Sequence, residues 1–131
     1  MKGLAQNYHK GTQKDNVAEL LGLLLLSRDY AHLAHWKTGS YADHKALDTF
    51  YTELLELTDE LAEAAQGVYG KLNVSMSGMK ENVSDPIAVL QKHVKKVEML
   101  ADGCEGRAIN AIVDQIAQLY LETIYKLKEL S

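Results

Sequence analysis

SYADHKALDTFYTELLELTDELAEAAQGVYG, residues 40–70, decides the fold. Its helical pattern runs without a break to about Tyr69, where Gly70 stops it. At the helical rise, such a segment is roughly 43 Å long. Ser40, with Asp43 three residues on, resembles a capping box in which Asp replaces the usual Glu.

Reading toward the N-terminus, Val17, Leu20, Leu21, Leu24, Leu25, Tyr30, Leu33 and Trp36 recur at helical spacing. Asp15 or Asn16 can cap this helix. It ends near Lys37, with Gly39 as the stop. Residues 1–14 are polar and read as a flexible tail, so the expected domain is 15–131. Toward the C-terminus, residues 71–84 lack periodicity and read as a linker. Ser84, Asp85 and Pro86 mark a third helix start, with proline in its favoured first position. Ile87, Leu90, Val94, Val97 and Leu100 form its apolar face. After the Asp102-Gly103 turn, a fourth helix runs from about Glu105 to Leu130, with Ile109, Ile112, Ile116, Leu119, Tyr120, Ile124 and Leu127 inward. The expected fold is all-α, a four-helix bundle with a longer linker between the second and third helices. The linker can reach about 46 Å when extended. That is enough for a lengthwise crossover, and an up-down bundle is equally compatible.

The 131 residues fit one domain. The formal charge of −4 speaks against a general nucleic-acid binder and suits a collector of cations. Cys104 is the only cysteine, so no internal disulfide can form, and a reducing cytoplasm is the expected location. The polar stretch from Met1 to Asn16 carries no signal-peptide pattern. The longest apolar run, Leu20 to Leu26, is far shorter than a membrane span.

The second helix carries His44, Asp48, Asp59 and Glu63, all common ligands of iron, zinc or manganese. They fall within about 100° of one another around the helix, on one stripe. Asp48 and Asp59 are roughly 16 Å apart along the axis, too far to share an ion within one chain. The pairs His44/Glu63 and Asp48/Asp59 share a midpoint, between residues 53 and 54. Two such helices packed antiparallel about a two-fold axis there bring His44 and Asp48 of one copy beside the other's Asp59 and Glu63. His35 can add a second imidazole. An ordinary solvated acidic face is the alternative. Against it stand the flanking apolar residues Leu47, Leu55 and Ala62, and the His35-Trp36 pair at a helix end.

His35-Trp36, followed by His44, Asp48, Asp59 and Glu63 at these spacings, closely resembles the ferroxidase signature of the Dps proteins, the ferritin-like mini-ferritins. The strong likeness covers residues 30–70. It implies that His35, His44 and Asp48 come from one subunit, with Asp59 and Glu63 from its partner. It further implies that Fe(II) is bound and oxidised there by peroxide, or more slowly by oxygen. Trp36 matches a tryptophan that lies beside the iron and intercepts radicals. Family members form homodimers within hollow dodecamers and store the ferric product as mineral. This chain departs from the family in a shorter loop between His35 and His44 and a shorter middle linker. It contains no Glu-x-x-His, the motif of di-iron sites built inside one bundle.

Other residues have plainer readings. His32 is three residues from His35 and can face the same ion, though such histidines more often pack or lie on the surface. His93 lacks an acidic partner at ligand spacing and reads as an ordinary surface or core residue. Tyr51, Tyr120 and Tyr125 read as core or interface, and Cys104 as incidental. In some Dps proteins a lysine-bearing tail binds DNA. Here Lys2, Lys10 and Lys14 against Asp15 leave a net +2, which supports weak DNA contact at most.

Overall fold

The computed structural model describes residues 12–131. The expected tail through residue 11 lies outside the described residues. Four helices follow: α1 Gln13–Lys37, α2 Tyr41–Tyr69, α3 Pro86–Ala101 and α4 Arg107–Glu129. The fold is thus an all-α four-helix bundle. Among the described residues, no helix is long and apolar enough to cross a membrane.

Local chemistry sets the helix ends. The Thr12 hydroxyl accepts the Asp15 N–H at 3.1 Å, and the Asp15 carboxylate accepts the Thr12 N–H at 3.3 Å. This is a reciprocal capping box. Asp15 therefore stands at the third helical position and is not itself the cap. The helix begins at Gln13, two residues ahead of the start expected at Asp15. Ser40 caps α2 by accepting the Asp43 N–H at 3.2 Å. The Ser40 N–H goes to the Thr38 hydroxyl at 3.1 Å, so only half of the expected box forms there. Asp85 caps α3 through the Ala88 N–H, with Pro86 first in the helix. α4 starts at Arg107, two residues later than expected, behind Gly106 at φ 105°.

α1 packs against α2 and α3, and α4 packs against the same two. The diagonal pairs α1/α4 and α2/α3 have no close backbone approach. The Tyr69 hydroxyl at the end of α2 donates to Gln13 at 3.0 Å, at the start of α1. Gln13 also reaches Glu105, just ahead of α4. The Lys96–Glu19 pair joins late α3 to early α1. All four neighbouring helix pairs are therefore antiparallel.

The segment 71–84 must join two diagonal helices that point the same way, and it runs the length of α1. It begins beside Gln13. It lays the Ser75 carbonyl on Gly22, where a Cβ would overlap the carbonyl oxygen. It then receives a 2.6 Å hydrogen bond from the Tyr30 hydroxyl at Asn82 C=O. Val83 and Ser84 finish beside Ala34 and Thr38. The lengthwise crossover is the path observed.

The core holds Leu20, Leu24, Tyr30, Leu47, Phe50, Leu54, Leu61, Leu90, Ile116 and Tyr120, each under 2% exposed. Leu23 and Leu26, on the outer side of α1, are also buried. A helix apolar on nearly every side needs cover on every side, and the crossover supplies the fourth wall. Tyr120 is a core residue that meets Phe50 edge to face at 4.9 Å, whereas Tyr125 is 56% exposed and lies outside the core.

One polar chain crosses this core. Ser27 Oγ lies 2.6 Å from His93 Nδ1, and His93 Nε2 lies 3.3 Å from Glu81 of the crossover. An ionised carboxylate can only accept, so Nε2 carries the proton and Nδ1 accepts from Ser27. His93 is a buried core histidine whose acidic partner comes from across the crossover. Burial outweighs the neighbouring Glu81 and holds its pKa below the usual imidazole value.

Candidate metal centre

Only Thr38, Gly39 and Ser40 separate α1 from α2. So short a connection forces the last turn of α1 against the first turn of α2. His35 and His44, nine residues apart, meet there. Their rings stack with centroids 3.6 Å apart and planes 17° from parallel. His35 Nδ1 donates to the His44 carbonyl at 2.6 Å, and His44 Nδ1 donates to the His35 carbonyl at 2.9 Å. A carbonyl oxygen only accepts, so each Nδ1 must carry the proton. In the neutral ring this leaves the Nε2 lone pair free. Anchoring Nδ1 to a carbonyl in this way is how proteins orient metal-binding imidazoles. His35 is also nine-tenths buried, so its ring is held by packing as well.

Aromatic rings surround the pair. Tyr51 meets His35 edge to face at 5.4 Å and stacks on His32 at 4.2 Å. His32 in turn lies 4.6 Å from Trp36, which is 68% exposed. Partial burial, together with the Asp48 carboxylate beside it, pushes the Tyr51 phenol up. Asp48 therefore sits with Tyr51, one turn along α2 from His44. Trp36, His32, Leu33, Met76 and Met79 line a groove of about 390 Å³ between α1 and the crossover.

The other expected ligands lie elsewhere. Asp59 and Glu63 are exposed on the far half of α2, in line with His44 and Asp48 but well along the helix. Leu55 and Ala62 on the same stripe are half-buried. Among the described residues, no three His, Cys, Asp or Glu side chains gather closely enough to hold one ion. The chain thus brings His35 and His44 together and carries Asp48 on the same end of α2, while Asp59 and Glu63 lie at the other. Sequence reasoning read Tyr51 as core or interface and did not place it against His32 and His35. Its spacing of seven from His44, two helical turns, was the available signal.

On the opposite side of α2, Glu53, Glu56 and Glu60 face α4's Glu122 across an acidic groove.

Comparison with known proteins places this architecture in a family. Residues 35–127 match a family of unknown function, DUF5856, and that span includes every candidate ligand. An Enterobacteria phage T4 protein, described as an uncharacterized 14.6 kDa protein in the mobD-ri intergenic region, is 31% identical over 110 residues. The alignment covers 83% of this chain and 85% of the phage protein. No solved structure gives a significant match. The chain belongs to the DUF5856 family.

Proposed function

We propose that this chain is a ferritin-like, Dps-type protein that binds Fe(II) and oxidises it at sites shared between two subunits. The observation that carries this reading is the reciprocal lock of His35 and His44, which orients both rings and leaves each Nε2 without a protein partner at the end of α2 that also bears Asp48. The crossover along α1 adds support, because one long connection between antiparallel pairs is the ferritin arrangement. Antiparallel pairing of α2 with a second copy brings the partner's two exposed acids to this end.

In the completed site, His35, His44 and Asp48 face Asp59 and Glu63 of the partner subunit. Two imidazoles with three carboxylates hold Fe(II), and the anionic oxygens favour the ferric product. Each Fe(II) gives up one electron. Peroxide takes two electrons and two protons and leaves as two waters, and oxygen is the slower oxidant. Trp36, beside the site, intercepts stray radicals. The ferric product collects in a cage if twelve copies assemble.

The test combines ferric absorbance after Fe(II) and peroxide with solution mass by light scattering. Peroxide-dependent Fe(III) formation, weakened at both sites by Asp59→Asn with the helical signal intact, is the expected result. Unchanged iron binding in that variant overturns the shared site. The tightness of the His35–His44 stack favours a second reading, a metal holder without turnover. It predicts uptake of metal with no ferric signal.

A further inference from the structure

We propose that the crossover, residues 71–84, is a strap that acid releases from the outer side of α1 while the four helices stay folded. Side chains do most of the holding. Among the described residues, no backbone–backbone hydrogen bond ties the crossover to α1. None of its side chains is fully buried, and only Leu72, Met79, Glu81 and Val83 are partly covered. A segment with so few buried contacts opens at less cost than the packed helices.

Three contacts fasten it: Ser75 on Gly22, Asn82 under the Tyr30 hydroxyl, and Glu81 on His93. Only the last can titrate near neutral pH. Ser75, Ser77 and Glu81 of the strap share a cavity of about 330 Å³ with Leu23, Leu26 and His93. Lifting the strap therefore opens His93 to water and bares Leu23 and Leu26, both buried while it is closed.

The closed site has no place for a second proton on His93. Nε2 already donates to Glu81, and Nδ1 accepts from the Ser27 hydroxyl at 2.6 Å. A proton on Nδ1 faces that hydroxyl donor to donor unless Ser27 turns. The surroundings give little relief. From α1, the Tyr30 ring lies edge-on at 6.3 Å, and Glu19 is taken by Lys96 at 3.5 Å. On α3, Lys92 and Lys96 oppose a further positive charge. From α4, Tyr120 brings beside Ser27 a phenol that burial keeps protonated. α2 makes no close backbone approach to α3. Glu81 alone favours the imidazolium, and burial outweighs it. Once the strap lifts, the ring takes its proton in water, so acid favours the open form.

Thiol labelling with an aromatic disulfide that reacts in acid tests this on the full chain carrying Cys104→Ser. Leu26→Cys reports the strap, and Leu24→Cys, on the inward side of α1, reports unfolding. Each rate is divided by that of the urea-unfolded chain at the same pH. Protection at Leu26→Cys should fall up to roughly tenfold per pH unit below about 6.5. It should stay weaker than at Leu24→Cys throughout and lose its pH dependence in His93→Gln. Equal protection at the two positions means that the strap leaves only with the whole bundle, and overturns the proposal. Protection at Leu26→Cys that ignores pH, or a dependence that survives His93→Gln, overturns it too. Should His93→Gln fail to fold, NMR titration of the His93 ring in the unaltered chain decides, and a midpoint at or above about 6.5 overturns the latch.

Discussion

Replacing Gly22 with alanine tests the crossover, on which the topology depends. In a helix interior, Gly→Ala ordinarily stabilises by roughly 0.5–1 kcal/mol, because glycine loses more backbone freedom on folding. At Gly22 the added methyl meets the Ser75 carbonyl, a backbone atom that cannot rotate away. Relief requires the crossover to lift. Lifting strains the packing of Met79 and the Tyr30–Asn82 and His93–Glu81 contacts further along. Overpacking of this kind costs about 1–3 kcal/mol. The balance is a loss of about 1–2 kcal/mol. Gly67 is the internal control. It lies in α2 with open space around it, so Gly67→Ala should raise stability by up to about 1 kcal/mol. Urea unfolding followed by far-ultraviolet circular dichroism separates the two signs. Equal stabilisation by both substitutions refutes a crossover seated on Gly22, and removes that support from the ferritin-like proposal.

Three further outcomes follow from the same geometry. Folding stability should fall as pH drops below about 6.5, the unfolded imidazole's range, because burial holds His93 below that value and the unfolded chain binds the proton first. The slope approaches about 1.4 kcal/mol per pH unit for the one proton and should vanish in His93→Gln; Lys92 and Lys96 add to the effect, and Glu81, itself held below its usual range, extends the loss at lower pH. His44→Ala should weaken Zn(II) binding, read by calorimetry, at least roughly tenfold, while the lost hydrogen bonds cost only about 1–2 kcal/mol of stability. Trp36 is the only tryptophan and is 68% exposed, so Trp36→Phe should change stability by less than about 0.5 kcal/mol, whereas Cu(II) at the imidazole pair should quench native Trp36 fluorescence.

The helices were legible in the sequence because capping and periodicity act over a few residues. Asp85-Pro86 and Ser40 announce their helices, and the inward face expected for α4 is the buried one apart from half-covered Ile112. The crossover was legible only in retrospect. Leu20 to Leu26 is apolar all round, with Gly22 inside it, because a fourth wall covers the outer side of α1. The path of residues 71–84 has no periodicity to read, so Glu81 as a partner for His93 stayed hidden. The candidate ligands on α2 were visible as a stripe of suitable residue types. The lock between His35 and His44 was not, since it depends on how a three-residue loop folds α2 back on α1.

Hydrogen bonding separates the histidines by role. His93 uses both ring nitrogens, one on Ser27 and one on Glu81, and it ties the crossover to the core. It has no lone pair to offer without breaking that tie. His35 and His44 each use one nitrogen, and each spends it on the other's backbone. Neither Nε2 is among the buried side-chain atoms that lack a partner, so water reaches both lone pairs in the single chain. On the function proposed above, a metal ion displaces that water, and the carboxylates on the same stripe of α2 supply its anionic oxygens.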